Sequence, residues 1–177
     1  MIAVNNSYGD PVYNEKGTLI KYVPRDFVDI VWFGDPNWYE WHEEWLKDFI
    51  GLKIHCSGNR WNRRSELKRL LRTKPIGIET RPGFVAWNKS SGASAINLAY
   101  HLGVKRIILL GYDMRMVDGQ KNWHQDHKEK KHNPFKRFLA PFSEIAKDLK
   151  KLGVECVNAT PESAIKQFPI IKLEEVL

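Results

Sequence analysis

Lys89-Ser90-Ser91-Gly92 leads straight into a helical pattern with apolar residues at Ala93, Ile96, Leu98, Ala99 and Leu102. A helix start presents unpaired backbone N–H groups and about half a positive charge. Small residues let a ligand approach that backbone. Serine hydroxyls add donors, and Lys89 adds a full charge. The chemistry offered is a seat for phosphate or carboxylate. A plainer reading makes Ser90 or Ser91 an N-cap and nothing more. The spacing is neither that of a Walker loop nor GxGxxG.

The helix stops at Gly103. A short, continuous apolar run, Ile107 to Leu110, follows, as expected of a strand covered on both faces. Gly111-Tyr112-Asp113 ends it. Asp113 is a candidate to fix a hydroxyl or a Mg²⁺ ion. Two earlier apolar strands finish in polar residues in the same way, at Asn5-Asn6 and at Asp35. In open α/β sheets ligands sit beyond the carboxyl ends of the strands. Asn5, Asn6 and Asp35 therefore join Lys89, Ser90, Ser91 and Gly92 as candidate ligand-binding residues.

Asp118 to Phe135 holds His124, Asp126, His127 and His132. Imidazole titrates near neutral pH, so His124 or His127 suits acid–base work. Metal ligation and simple surface polarity are the other readings, and the spacing does not specify a metal site. Between Gly58 and Lys74 lie Arg60, Arg63, Arg64, Lys68, Arg69, Arg72 and Lys74 against one acid, Glu66. Leu67, Leu70 and Leu71 predict a basic helix packed on the body. The segment reads as a solvated face or as a footprint for nucleic acid.

The 177 residues predict one domain over 1–177, burying about 70% of the unfolded chain's surface. The net charge of +7 favours acidic partners such as nucleotides or nucleic acid. Two distant cysteines, Cys56 and Cys156, and no visible signal peptide point to the cytoplasm. No run reaches the roughly 20 apolar residues of a membrane span. The sequence does not decide the oligomeric state.

Strands are expected at Met1–Val4, Phe27–Phe33, Leu52–Cys56, Ile76–Ile78, Ile107–Leu110 and Val154–Val157, with a turn-rich loop from Tyr8 to Lys21. Trp38, Trp41, Trp45 and Phe49 share a helical face; packing explains this better than base stacking. His42 lies beside it. Pro134 to Leu152 reads as one helix, and a short helix is expected from Glu162. The fold class is α/β: a Rossmann-like, mostly parallel sheet with helices on both faces.

The order AVNNSY, VWFGDPNWYEWH, KSSGASAINLAYHLG, RIILLGYDM, NWHQDH…NPF and VNATPESAIKQFP…LEEVL resembles small phage-encoded proteins. That group is related to the archaeal 6-hydroxymethylpterin diphosphokinase-like family, which is similar to the sialyltransferases of glycosyltransferase family 42. The resemblance implies a Rossmann-like sheet binding a nucleotide or nucleotide-sugar donor, in the host cytoplasm. It implies that Ser90, Ser91 and Gly92 meet the donor's phosphate and carboxylate, that Asn5 touches the donor, and that His124 or His127 is the base. The family pattern opens with a strand and a Gly-x-Gly-Pro-Ser loop. This chain starts at the following strand, so that loop is expected to be lacking, through truncation or through loss of the donor site. The rival expectation is a non-catalytic protein that binds a nucleotide, nucleic acid or host protein.

Overall fold

A computed structural model describes residues 1–58, 64–73, 76–120 and 133–176. They form a mixed α/β fold with few helices and one four-stranded parallel sheet. The sequence pattern reads as one domain; the fold divides into two compact units, Met1–Arg72 and Thr73–Leu177.

In the first unit, β1 (Ile2–Val4), β4 (Ile30–Phe33), β5 (Leu52–His55) and β6 (Leu67–Arg69) lie side by side in that order, all parallel. All four residues of β4 are buried, as befits a central strand of continuous apolar sequence. β2 (Gly9–Tyr13) and β3 (Leu19–Pro24) form an antiparallel hairpin. The sequence predicts only a turn-rich loop there. Asn14 makes the turn: its Oδ1 accepts from the backbone of Lys16 and of Thr18, while Gly17 takes a φ of 72°.

The predicted Trp38–Phe49 helix is shorter and broken. α1 covers Pro36–His42, with Asp35 as N-cap and Pro36 in the first turn, and a 3₁₀ turn covers Trp45–Asp48. Of its aromatic face Trp38 and Phe49 are core, Trp45 packs partly buried against them, and Trp41 is half-buried. Tyr8, Tyr22, Trp38 and Phe49 are buried, and His42 stacks on Trp38 at 4.5 Å. The basic helix predicted from Gly58 is corrected: Leu67–Arg69 is β6, and Leu71–Arg72 is a two-residue strand, β7. Leu67 is buried and Lys68 exposed, the two-residue alternation of a strand overriding the helical seam. Arg60, Arg63 and Lys74 lie outside the described residues.

The second unit holds β8 (Phe84–Val85), α2 (Ser91–His101), β9 (Arg106–Leu109), α3 (Phe135–Leu139), α4 (Phe142–Lys151) and β10 (Glu155–Asn158). β9 and β10 pair in parallel. The predicted Pro134–Leu152 helix splits into α3 and α4 because Pro141 has no N–H to continue it. Ile76–Ile78 is not a strand: the Ile78 N–H donates to the Asp148 carboxylate on α4 rather than to a ladder. The short helix predicted from Glu162 is replaced by a turn, with Thr160 N–H donating to Asn158 Oδ1 and Glu162 at a φ of 54°. Among the described residues no helix is long and apolar enough to cross a membrane.

His55 is only 1% exposed, and burial, aided by the charges of Arg69 and Arg72, lowers its pKa from 6.5 to about 4. Between those values the unfolded chain binds more protons than the folded one. Stability therefore falls as pH drops from 6.5 towards 4, by about 2–3 kcal/mol. Urea unfolding at pH 7 and pH 4.5 checks this, with His55→Asn flattening the slope. Equal stability of the native chain at both pH values would contradict it.

Candidate functional site: the start of helix α2

Ser90 caps α2. Its extended backbone turns the chain into the helix, and its Oγ accepts the Ala93 N–H at 3.2 Å. Ser91 opens the helix and is buried, as is Ser90. Lys89 is exposed just ahead of them. Asn88 and Lys89 both have left-handed backbones, with φ of 54° and 62°. Asparagine tolerates that region; for lysine it costs about 1–2 kcal/mol. The loop around them must impose this geometry.

Asn97 does much of the imposing. It sits in the middle of α2 with no exposure. Its Oδ1 accepts from the backbone N–H of Glu79 and of Ala86, both at 2.9 Å. Its Nδ2 donates to the Glu79 carbonyl at 2.9 Å. One carboxamide thus ties two points of the loop 76–88 to the helix. Asn88 adds a second tie, donating from Nδ2 to the carbonyls of Gly77 and Ala86. His101 Nε2 pairs with the Phe84 carbonyl at 2.7 Å. Glu79 closes the loop: Arg81 and then Thr73 bond its carboxylate and hold its pKa at about 2.

The carboxyl ends of β9 and β10 are joined to the same helix start. Tyr112 donates its hydroxyl to the Gly92 carbonyl at 2.9 Å, and burial raises its pKa. Tyr112 N–H donates to Thr160 Oγ1, and Ser163 Oγ donates to the Tyr112 carbonyl. Asp113 follows, half-buried, its carbonyl accepting the Ala164 N–H. Lys89, Ser90, Ser91, Gly92 and Asp113 are therefore carried on one connected backbone framework. Asn158, fully buried at the end of β10, leaves its Nδ2 without a hydrogen-bond partner.

Other expected site residues fall elsewhere. Asn5, Asn6 and Asp35 belong to the first unit. Asn6 is buried in the core: it donates to the Tyr22 hydroxyl at 2.7 Å and accepts from Trp38 Nε1 at 2.6 Å. Asp35 is exposed and caps α1 through the Asn37 N–H. Asn5, with a φ of 50°, keeps an Oδ1 without a hydrogen-bond partner at the end of β1. His124 and His127, with Asp126 and His132, lie outside the described residues. Among the described residues no group of three or more His, Cys, Asp or Glu could hold a metal ion.

Sequence reasoning missed Asn97 and Tyr112. An asparagine in the middle of a largely buried helix was the available signal, since a buried amide must find partners. A groove of about 390 Å³ opens elsewhere in the second unit, lined by Leu149, Lys150, Cys156 and Phe168 among others. No family model, no curated protein and no solved structure matches the chain.

Asn97→Ala strands two buried N–H groups and should cost about 3–5 kcal/mol in urea unfolding; a loss below about 1 kcal/mol contradicts the tie. Gly92 offers a milder change. A Cβ there meets Tyr112 Cε1 at 3.4 Å, an ordinary contact. Gly92→Ala should therefore fold at least as stably as the native chain, whereas Ser90→Ala loses about 1 kcal/mol with its cap.

Proposed function

We propose that the chain is a nucleotide- or nucleotide-sugar-binding protein of transferase type, built on a Rossmann-like plan. The observation that carries this reading is the start of α2, where Ser90, Ser91 and Gly92 are held by the Asn97 and Asn88 ties beside the Tyr112-Asp113 strand end. The backbone N–H groups of the first turn and the serine hydroxyls accept a phosphate or the carboxylate of a sugar donor. Lys89 adds long-range attraction. The framework exists before the ligand arrives, so little ordering entropy opposes binding.

On this reading Asp113 fixes a ligand hydroxyl, or a Mg²⁺ ion riding on the phosphates. His124 or His127 takes the proton from the acceptor in glycosyl or diphosphoryl transfer. That step rests on the family resemblance alone. Asn5 and Asp35 remain strand-end candidates of the first unit. The rival is a non-catalytic protein that binds a nucleotide or a macromolecule. Nucleic-acid binding through Arg60–Lys74 loses part of its basis, because Arg64 pairs with Glu43 and no basic helix forms among the described residues.

A thermal-shift panel tests the reading: CMP, CMP-sialic acid, UDP-sugars, ATP, GTP and a pterin, each with and without Mg²⁺. A ligand at about 100 times its Kd adds about 2.7 kcal/mol. The expected result is a selective rise that Gly92→Ala and Ser91→Ala remove. A rise unchanged in both variants, or none with any nucleotide, contradicts the site. Turnover lost in His127→Ala or His124→Ala, with binding kept, supports the transferase reading over the binder.

A further inference from the structure

In the second unit, β10 pairs with β9 along one edge only. Glu155 N–H donates to the Lys105 carbonyl and Ala159 N–H to the Leu109 carbonyl. Residues 155, 157 and 159 therefore turn their backbone groups towards β9. Cys156 and Asn158 turn theirs to the outer edge. Asn158 finds partners there: its N–H donates to the Pro169 carbonyl at 2.8 Å, and its carbonyl accepts the Ile171 N–H at 3.1 Å. This is the parallel bridge of Asn158 with Ile170. One step further back, the same pairing would set Cys156 against Phe168, with the residue 169 N–H donating to the Cys156 carbonyl. Residue 169 is proline and has no N–H to give. Pairing stops there, and among the described residues none takes the Cys156 N–H or carbonyl. Cys156 is only 7% exposed, where an unmade backbone bond is costly.

The groove of about 390 Å³ lies at this place. Cys156 and Val154 line it, with Leu149 and Lys150 of α4 and with Phe168 and Pro169 where the chain diverges from β10. Leu149, Val154, Cys156 and Phe168 are buried, so the groove has an apolar floor. Burial pushes the Cys156 thiol up to about 12, and it carries no charge near neutral pH. The rim is basic. Lys150 is exposed, and Lys147, also at the groove, shares the Glu144 carboxylate. The acid on β10, Glu155, is paired with Arg106.

We propose that the outer edge of β10 receives an extended, acidic segment of another protein chain, which adds a short strand beside Cys156, sets an apolar side chain in the groove and brings a carboxylate to Lys150. In strand addition the main-chain bonds supply affinity and the side-chain pocket supplies specificity. A backbone is the fitting occupant because it offers a C=O and an N–H at strand spacing, the pair that Cys156 lacks and Pro169 denies it. The basic rim selects the charge of the segment. This site shares no residue with the start of α2 and does not rest on the proposed transferase function.

The test titrates the full ¹⁵N-labelled chain, at low ionic strength, with the peptide acetyl-Thr-Glu-Leu-Glu-Val-Thr-amide. Two control peptides accompany it, one with Lys in place of each Glu and one with its four central amides N-methylated. The expected result is a saturable downfield shift of the Cys156 amide and slower exchange of its proton with solvent. The N-methylated peptide does not produce it. The Lys peptide, and Lys150→Glu in the chain, weaken binding by about threefold or more. The shift persists in Gly92→Ala. No saturable shift with the acidic peptide, or equal affinity for the N-methylated one, overturns strand addition. Equal affinity for the Lys peptide overturns the acidic assignment. A Cys156 shift that grows with protein concentration in the absence of peptide would give the edge to a second copy of the chain and overturn the proposal.

Discussion

The second unit depends on the Asn97 carboxamide. Its oxygen and nitrogen satisfy three backbone groups of the loop that precedes α2. All of these atoms are buried, where an unmade hydrogen bond is expensive and a made one is firm. Glu79 and Ala86 are thereby held at fixed points on the side of α2. The chain between Ala86 and Ser91 has only a few residues in which to reach the helix start. It does so through the left-handed backbones of Asn88 and Lys89. The strain is the consequence of the tie, and the result is a helix start set in advance of any ligand.

The two ends of this framework do different chemistry. The helix start supplies donors and positive potential. The ends of β9 and β10 supply Tyr112, Asp113, Thr160 and Ser163, which lock the strand termini to the helix and to each other. A rigid donor set loses little when it binds, and this favours recognition of a charged group over adaptive contact. The first unit is organised otherwise. Its interior is aromatic, knitted by Asn6 between Tyr22 and Trp38.

Much of this order was legible in the sequence, for definite reasons. The Ile107–Leu110 run and the Ser-capped, Gly-terminated pattern of α2 placed both elements nearly to the residue; α2 is buried along most of its length, whereas β9 alternates, with Ile107 and Leu109 buried and Arg106 and Leu110 exposed. The β2–β3 hairpin was missed because Pro11 and Pro24 and the glycines masked its alternation. The basic stretch was misjudged because Leu67, Leu70 and Leu71 fit a helical seam, while pairing with β5 decided the outcome. Tertiary partners override local period in short segments. Asn6 illustrates the same limit. A polar residue at a strand end reads as ligand-facing until its partners, here Tyr22 and Trp38, are known. His124 and His127 fall outside the described residues, so their role rests on sequence.

The most direct measurement is a titration of the ¹⁵N-labelled chain with CMP, followed through its backbone amides. A preformed anion seat predicts large downfield shifts confined to Lys89–Ala93, with the Glu79 and Ala86 amides bonded to Asn97 almost unmoved. Shifts that leave Ser91 and Gly92 untouched would contradict the site. Movement of Glu79 and Ala86 as large as that of Gly92 would contradict its being set in advance.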